Sequence, residues 1–426
     1  MAVLYLILSL LLATPFTASC PSKCSCTAGS VDCTGAGLTS WPTSLPSNTT
    51  LLILSRNRIS SIAESDLELY DSLTSLDLSE NEIVGFGISS LRSRLEVIDL
   101  SWNKLRELNF LPFLPNLRVL NVSFNSVNGV DNATFSLNAR LESLSLDNNP
   151  IARLEPAMFQ HNAMLAYLSL SGLEISEIPA KLLDPLTHLK HVGISDNINL
   201  ERLHNELFYY LGNLKYLDLG GNGLKSVPRS IRHLHNLVYL DLDGNPLQCD
   251  CKLFWFANWH DQKPEKLYLT NGTACSDKKP IIQQLLQLQC SAVQLETSTL
   301  FQEVVFGEAA VLTCNFSGNP APIITWITPD HSVLSWPTAV ETNRSEISLL
   351  SSGQLQVANV SRSTAGHYTC QASNALSNVT AFMRIQITPK SFRQVQIQSI
   401  IVGFGCVFAF CFITLIVQVF RFIMDR

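Results

Sequence analysis

The sequence predicts an α/β-type solenoid, a curved parallel sheet capped at both ends, followed by an all-β sandwich and one transmembrane helix. Three observations predict it. A short pattern of leucine and asparagine recurs across residues 49–245. Twelve cysteines fall into tight groups that bracket that stretch and then continue beyond it. An uncharged apolar segment, Ser399 to Phe420, lies near the end of the 426 residues and is about the ~20 residues long that a helix needs to cross a bilayer.

The N-terminus, residues 1–19, reads as a signal peptide. Val3 to Ala13 is apolar, Pro15 breaks a helix, and small residues at Thr17 and Ser19 suit cleavage. No positive charge precedes the apolar run, which is too short to span a membrane comfortably. Behind such a signal the compartment is oxidising, so the ten cysteines between Cys20 and Cys370 are expected in disulfides. A zinc site at Cys24 and Cys26 or at Cys249 and Cys251 is the competing reading, and Cys-x-Cys lacks zinc-ribbon spacing. The net charge of −6 offers no basic patch for phosphates, so no nucleic-acid partner is expected.

Within residues 49–245 the unit is Leu-x-x-Leu-x-Leu-x-x-Asn, as in LTSLDLSEN (73–81), LRVLNVSFN (117–125) and LVYLDLDGN (237–245). Its last position falls at 57, 81, 103, 125, 149, 173, 197, 222 and 245, in steps of 22 to 25 residues. Nine such copies identify leucine-rich repeats. Leucines two apart leave a strand on the same side and fill the core, while the Asn amide satisfies backbone groups where the chain turns. Leu173 takes the place of Asn once, and an irregular turn with replacement bonds from water or backbone is expected there. Each repeat covers its neighbour, so stability is a nearest-neighbour sum and the two ends need covers.

The cysteine groups supply them. CPSKCSC with Cys33 (residues 20–48) resembles the N-terminal cap of leucine-rich repeats. NPLQCDCKLFWFANW with Cys275 and Cys290 (246–291) resembles the C-terminal cap. Spacing alone allows three connectivities in each cap. The resemblance implies Cys20–Cys26, Cys24–Cys33, Cys249–Cys275 and Cys251–Cys290.

Residues 292–388 change to alternating strands such as IITWI, HYTCQASN and FMRIQIT. Cys314 and Cys370 lie 56 apart with Trp326 between them and Tyr368 two before the second Cys. That is the immunoglobulin signature with its tyrosine corner and a Cys314–Cys370 bridge. Thr364 stands where Asp is usual, so a salt bridge is expected to be missing. A juxtamembrane linker (389–398), the transmembrane helix (399–420) and a tail of residues 421–426 follow. Lys390 and Arg393 before the span balance Arg421 and Arg426 after it, so the signal peptide sets the orientation, N-terminus outside. Gly405 and Ala409 form a small-x-x-x-small pair where another helix, of the same or another chain, could approach.

The whole order resembles the leucine-rich repeat and immunoglobulin domain single-pass membrane receptor superfamily, with its netrin-G-ligand-like, LINGO-like, AMIGO-like and LRIG-like members. The resemblance implies a plasma-membrane receptor or adhesion molecule that binds an extracellular or membrane protein through its repeats and immunoglobulin domain. With six residues after the span, signalling of its own is not expected. The alternative is an accessory subunit or co-receptor acting in cis. No cofactor is implied, and no catalytic motif of the common hydrolase, nucleotide-binding or zinc classes occurs.

The concave face exposes the residues around each Leu-x-Leu. Candidate partner-binding residues are Val97, Val119, Tyr167, His191, Tyr216 and Tyr239, just before the central Leu, with Trp102 and Phe124 just before the Asn. Asp77, Asp99, Asp218 and Asp241 share that face without calcium-ligand spacing. Eight N-glycosylation sequons occur, at Asn48, Asn121, Asn132, Asn271, Asn315, Asn343, Asn359 and Asn378. A glycan on Asn121 would restrict binding to the C-terminal tyrosines.

Overall fold

The computed structural model describes residues 20–91, 94–262, 267–337, 346–350 and 353–424. The signal peptide, Asn343 and the last two residues lie outside them. The chain divides into two compact units after Gln287.

The first unit opens with β1 (Ser25–Thr27), β2 (Ser30–Asp32), β3 (Leu51–Ile53) and β4 (Ser61–Ile62). It continues with β5 (Ser75–Asp77), β6 (Gly85–Phe86), β7 (Val97–Asp99), β8 (Val119–Asn121) and β9 (Ser143–Ser145). Then come β10 (Tyr167–Ser169), β11 (His191–Gly193), β12 (Tyr216–Asp218), β13 (Tyr239–Asp241) and β14 (Tyr268–Leu269). All except β4 and β6 form one 12-stranded sheet in chain order. Only the β1–β2 hairpin is antiparallel; from β2 onward each strand pairs in parallel with the next. The strands are short because only the central residue of each points inward. Leu76, Ile98, Leu120, Leu144, Leu168, Val192, Leu217 and Leu240 are buried, and their strand neighbours face out.

The turn after each strand is held by the asparagine ladder. Asn103 donates to the carbonyls of Leu78, Leu100 and Ser101 at 2.9, 3.0 and 3.1 Å, and its Oδ1 accepts from Ile83 N at 2.9 Å. Asn81 and Asn125 repeat the set one turn away on either side. At Leu173 the rung changes as expected: Ile151 N, which would meet an Asn oxygen, bonds the backbone oxygen of Asn149 at 2.8 Å, and Asn197 Oδ1 serves Leu173 N at 2.8 Å.

The outer limbs are mostly turns. Among the described residues of the repeats the α component is the single turn α1 (Glu64–Leu67), with 3-10 turns at Leu111–Phe113 and Arg229–His233. A second, shorter ladder stands on that side: Asn138 donates to the carbonyls of Leu111 and Leu114, and Asn162 to those of Phe135 and Asn138, beside the stacked rings of Phe135 and Phe159. The N-terminal end is closed by the β1–β2 hairpin with the Cys20–Cys26 and Cys24–Cys33 bonds. The C-terminal end carries α2 (Phe254–Asp261), α3 (Ile281–Gln287) and the Cys249–Cys275 bond. Cys251 and Cys290 are also in disulfides. In every described cap, then, the cysteines are oxidised and hold no metal.

The second unit is a sandwich of β15 (Ser291–Ser298), β16 (Phe301–Val304), β17 (Ala310–Leu312), β18 (Cys314–Asn319), β19 (Ile323–Ile327), β20 (Val333–Trp336), β21 (Ile347–Leu349), β22 (Leu355–Val357), β23 (Gly366–Ser373) and β24 (Asn378–Ile387). One sheet runs β16-β24-β23-β19-β20, with β17-β22-β21 and β15-β18 as separate sheets. Trp326 and the Cys314–Cys370 bond sit at its centre, and the Trp326 indole donates to Gly353 O at 2.9 Å. Tyr368 donates to Thr364 O, closing the tyrosine corner; burial, with Asp330 nearby, pushes its hydroxyl up to about 12. Thr364 keeps the corner without a carboxylate, its hydroxyl accepting from Ser361 N at 2.8 Å and donating to Asn359 O at 3.2 Å.

The last element, α4 (Pro389–Met424), is helical from its first residue, so the segment read as a linker is helix. Proline suits a first helical position because its missing N–H would have no partner there. Gln396–Arg421, 26 residues with mean hydropathy 2.8, is long and apolar enough to cross a membrane.

Candidate protein-binding surface

Parallel pairing without stagger turns equivalent residues of successive repeats into rows. Tyr167, His191, Tyr216, Tyr239 and Tyr268 are direct partners across five strands. Their rings form a continuous ladder with centroid spacings of 6.0, 4.3, 6.2 and 5.7 Å, the His191–Tyr216 and Tyr239–Tyr268 pairs lying nearly parallel. Tyr167, Tyr216 and Tyr268 are 42, 42 and 56% exposed, while His191 and Tyr239 are half-buried between them. Burial first, then Lys190 and Lys215, holds the His191 imidazole below its usual range. Burial and then Asp241 push the Tyr239 hydroxyl up.

Tyr268 is a member of the aromatic row that the nine-fold pattern misses. It comes from the C-terminal cap, where the repeat period has ended. The signal that could have found it is the Tyr268-Leu269 step, the same Tyr-Leu order as Tyr216-Leu217 and Tyr239-Leu240.

The N-terminal half of the row is aliphatic or polar: Ser75, Val97, Val119 and Ser143 pair in sequence and are half-buried. Trp102 and Phe124 lie beside that half. Their rings stack at 3.9 Å and 9°, with Trp102 55% and Phe124 38% exposed. Both have left-handed backbones, φ +56° and +54°, a conformation that bulky side chains rarely take. The structure therefore sorts the eight candidate residues into the Trp102–Phe124 stack, the paired Val97 and Val119 on neighbouring strands, and the ladder of Tyr167, His191, Tyr216 and Tyr239 extended by Tyr268.

A polar row runs alongside, two residues further along each strand: Asp77, Asp99, Asn121, Ser145, Ser169, Gly193, Asp218 and Asp241. Asp77 and Asp99 accept from the hydroxyl and backbone N of the serine two residues on. Asp218 accepts from Gly220 N at 2.9 Å; burial first, with Asp241 and Asp196 adding to it, pushes its carboxyl up. Asp241 accepts from Asp243 N at 2.8 Å and Thr270 Oγ1 at 3.0 Å. Among the described residues no group of three or more His, Cys, Asp or Glu is arranged to hold a metal.

Of the sequons, Asn48, Asn132, Asn271, Asn315, Asn359 and Asn378 are exposed. Asn121 is half-buried on the same sheet face as the aromatic ladder: its amide donates to Asp99 at 3.1 Å and its oxygen accepts from Ser123. Gly405 and Ala409 lie in α4, and a Cβ built on Gly405 would meet nothing within 4 Å. Thr414, also in the span, spends its hydroxyl on the carbonyls of Phe410 and Cys411.

Comparison with known proteins adds the following. The immunoglobulin domain model matches residues 301–383, and leucine rich repeat models match 72–93, 115–175 and 187–247. Tsukushi of Gallus gallus is 30% identical over 255 residues, 47% of this chain and 69% of that protein. Podocan of Mus musculus is 29% identical over 52% of this chain and 41% of its own length. Leucine-rich repeats and immunoglobulin-like domains protein 3 of Homo sapiens is 30% identical over 46% of this chain but 18% of its own length.

Proposed function

The chain belongs to the leucine-rich repeat and immunoglobulin domain family, and from that premise we propose that it is a plasma-membrane receptor or adhesion molecule, type I and single-pass, that seats a protein partner on the concave face of its repeats. Five disulfide-forming pairs of cysteines ahead of one apolar helix fit extracellular domains on a membrane anchor. The immunoglobulin domain serves as a second contact or a spacer. No catalytic role enters this reading.

The observation that carries it is the aromatic ladder. Tyrosines stacked in a row on an open sheet face offer large, rigid, amphipathic contact area at low entropic cost, the property of interface anchors. Packing between neighbouring rings stabilises the sheet as well, but a core role would not leave Tyr216 and Tyr268 so exposed. Replacing Tyr216 and Tyr239 together by Ala is expected to weaken partner binding by roughly a hundredfold, on the scale of two anchor residues. Cells displaying the full chain, tested for trans aggregation and for capture of partner-bearing cells, give the readout. Surface level and the mobility of the disulfide-bonded form should match the parent. Unaltered cell binding by that double variant rejects the concave face.

A second reading, action in cis on another membrane protein, is favoured by the span. The open surface over Gly405, four residues from Ala409, allows a neighbouring helix to approach closely.

A further inference from the structure

Several charges along the repeats pair with a charge on the adjacent repeat. Arg56 pairs with Glu80, Lys104 with Glu82, Arg118 with both Glu96 and Glu142, and Lys225 with Glu201. Among the described residues the acids of the strand row make no such pair, and they are densest in the C-terminal third of the face. Asp196, Asp218, Asp241 and Asp243 come together there, and among the described residues none of them makes an ion pair. A Cβ placed on Gly220 would lie 3.3 Å from a carboxylate oxygen of Asp218 and 3.3 Å from one of Asp241, so the two acids converge over a residue with no side chain to cover them. Asp243 is fixed by the hydroxyls of Thr270 and Thr273 at 2.6 and 2.9 Å, neither of which brings positive charge.

The tyrosines border these acids directly. Tyr216 precedes Asp218 by two residues on one strand and Tyr239 precedes Asp241 on the next, with the Tyr239 hydroxyl 3.3 Å from Asp241 Oδ2. The cations of this region, Lys190 and Lys215, stand upstream of the aromatic row, away from the acids along the strands. The face is therefore divided: lysines, then flat rings, then unpaired carboxylates.

From this juxtaposition we infer that the partner docks by a basic segment, its arginine side chains lying flat on Tyr216, Tyr239 and Tyr268 with their guanidinium ends on Asp218, Asp241 and Asp243. A planar guanidinium both stacks on an aromatic face and presents paired donors to a carboxylate, which a compact ammonium does less well. An acidic or purely apolar partner would leave the four carboxylates desolvated without compensation, at a cost that disfavours it. The inference rests on the concave-face reading above and adds the chemistry of the partner.

The test uses the full chain in detergent micelles, with a fluorescein-labelled nona-arginine peptide as probe and nona-glutamate as its control, followed by fluorescence anisotropy at physiological salt. Asp218→Asn with Asp241→Asn removes charge while the amide oxygens can still accept from Gly220 N and Asp243 N. It is expected to weaken nona-arginine binding roughly tenfold, as for interfacial charge pairs. Glu303→Gln with Glu308→Gln removes the same charge from exposed positions of the second unit and is expected to leave binding unchanged. No binding of nona-arginine by the parent, or equal affinity for the two double variants, overturns the proposal. If that happens while Tyr216→Ala with Tyr239→Ala still abolishes cell binding, the concave face stands and only the basic partner falls.

Discussion

The residue just before each rung of the ladder takes a left-handed backbone in all nine repeats: Arg56, Glu80, Trp102, Phe124, Asn148, Gly172, Asp196, Gly221 and Gly244. That kink aims the next side chain inward. For an L-residue it costs on the order of 1–2 kcal/mol, which glycine avoids and Asn or Asp tolerate. The three glycines are the trace of this requirement visible in the sequence. Arg56, Glu80, Trp102 and Phe124 ignore it, and for the last two a stacked pair returns only about 0.5–1.5 kcal/mol. Strain kept on an exposed surface points to use of that surface. Phe124→Gly is therefore expected to shift the thermal unfolding midpoint by no more than a few degrees, while weakening partner binding by roughly tenfold or more. A fall of the midpoint by about ten degrees would instead assign the stack a structural role.

At the scale of the repeat, the buried polar ladder matters as much as the leucines. Asn103→Ala strands the carbonyls of Leu78 and Leu100 and the N–H of Ile83 in a dry interior. The expected loss is about 3 kcal/mol, readable as a lower denaturant midpoint with the slope preserved. A loss below about 0.5 kcal/mol would mean that water replaces the amide. The leucine and asparagine period was legible because a buried strand residue recurs in every turn and a buried turn amide in all but the one at Leu173. Tyr268 was not, since a cap strand has no successor to cover and keeps only one leucine, Leu269, in register with the pattern. Asn138 and Asn162 were also illegible: they are 24 residues apart, but Leu114 and Leu186 occupy the equivalent places before and after, so no series emerges.

For the whole molecule, order of elements and chemistry of the binding face were readable to different depths. Cys314, Trp326, Tyr368 and Cys370 announce the sandwich because its core admits few alternatives at those places. The division of the concave face was not announced, since Asp196, Asp218, Asp241 and Asp243 become neighbours only when the strands pair without stagger. The trans and cis readings separate by exchange of the span. A lipid-anchored form lacking residues 389–426 is expected to retain trans binding in full; loss of activity with intact binding would favour a partner in the membrane. The aromatic ladder also acts as a ruler. Its rungs are 4.3–6.2 Å apart, whereas side chains on one face of an extended strand recur at roughly 6.6 Å. An extended chain laid across the rungs drifts out of step with them, like two scales of a vernier, and meets only a few at once. Longer linear epitopes thus gain little from their length, and tight capture of all five rings is reserved for a folded surface whose contacts share their pitch.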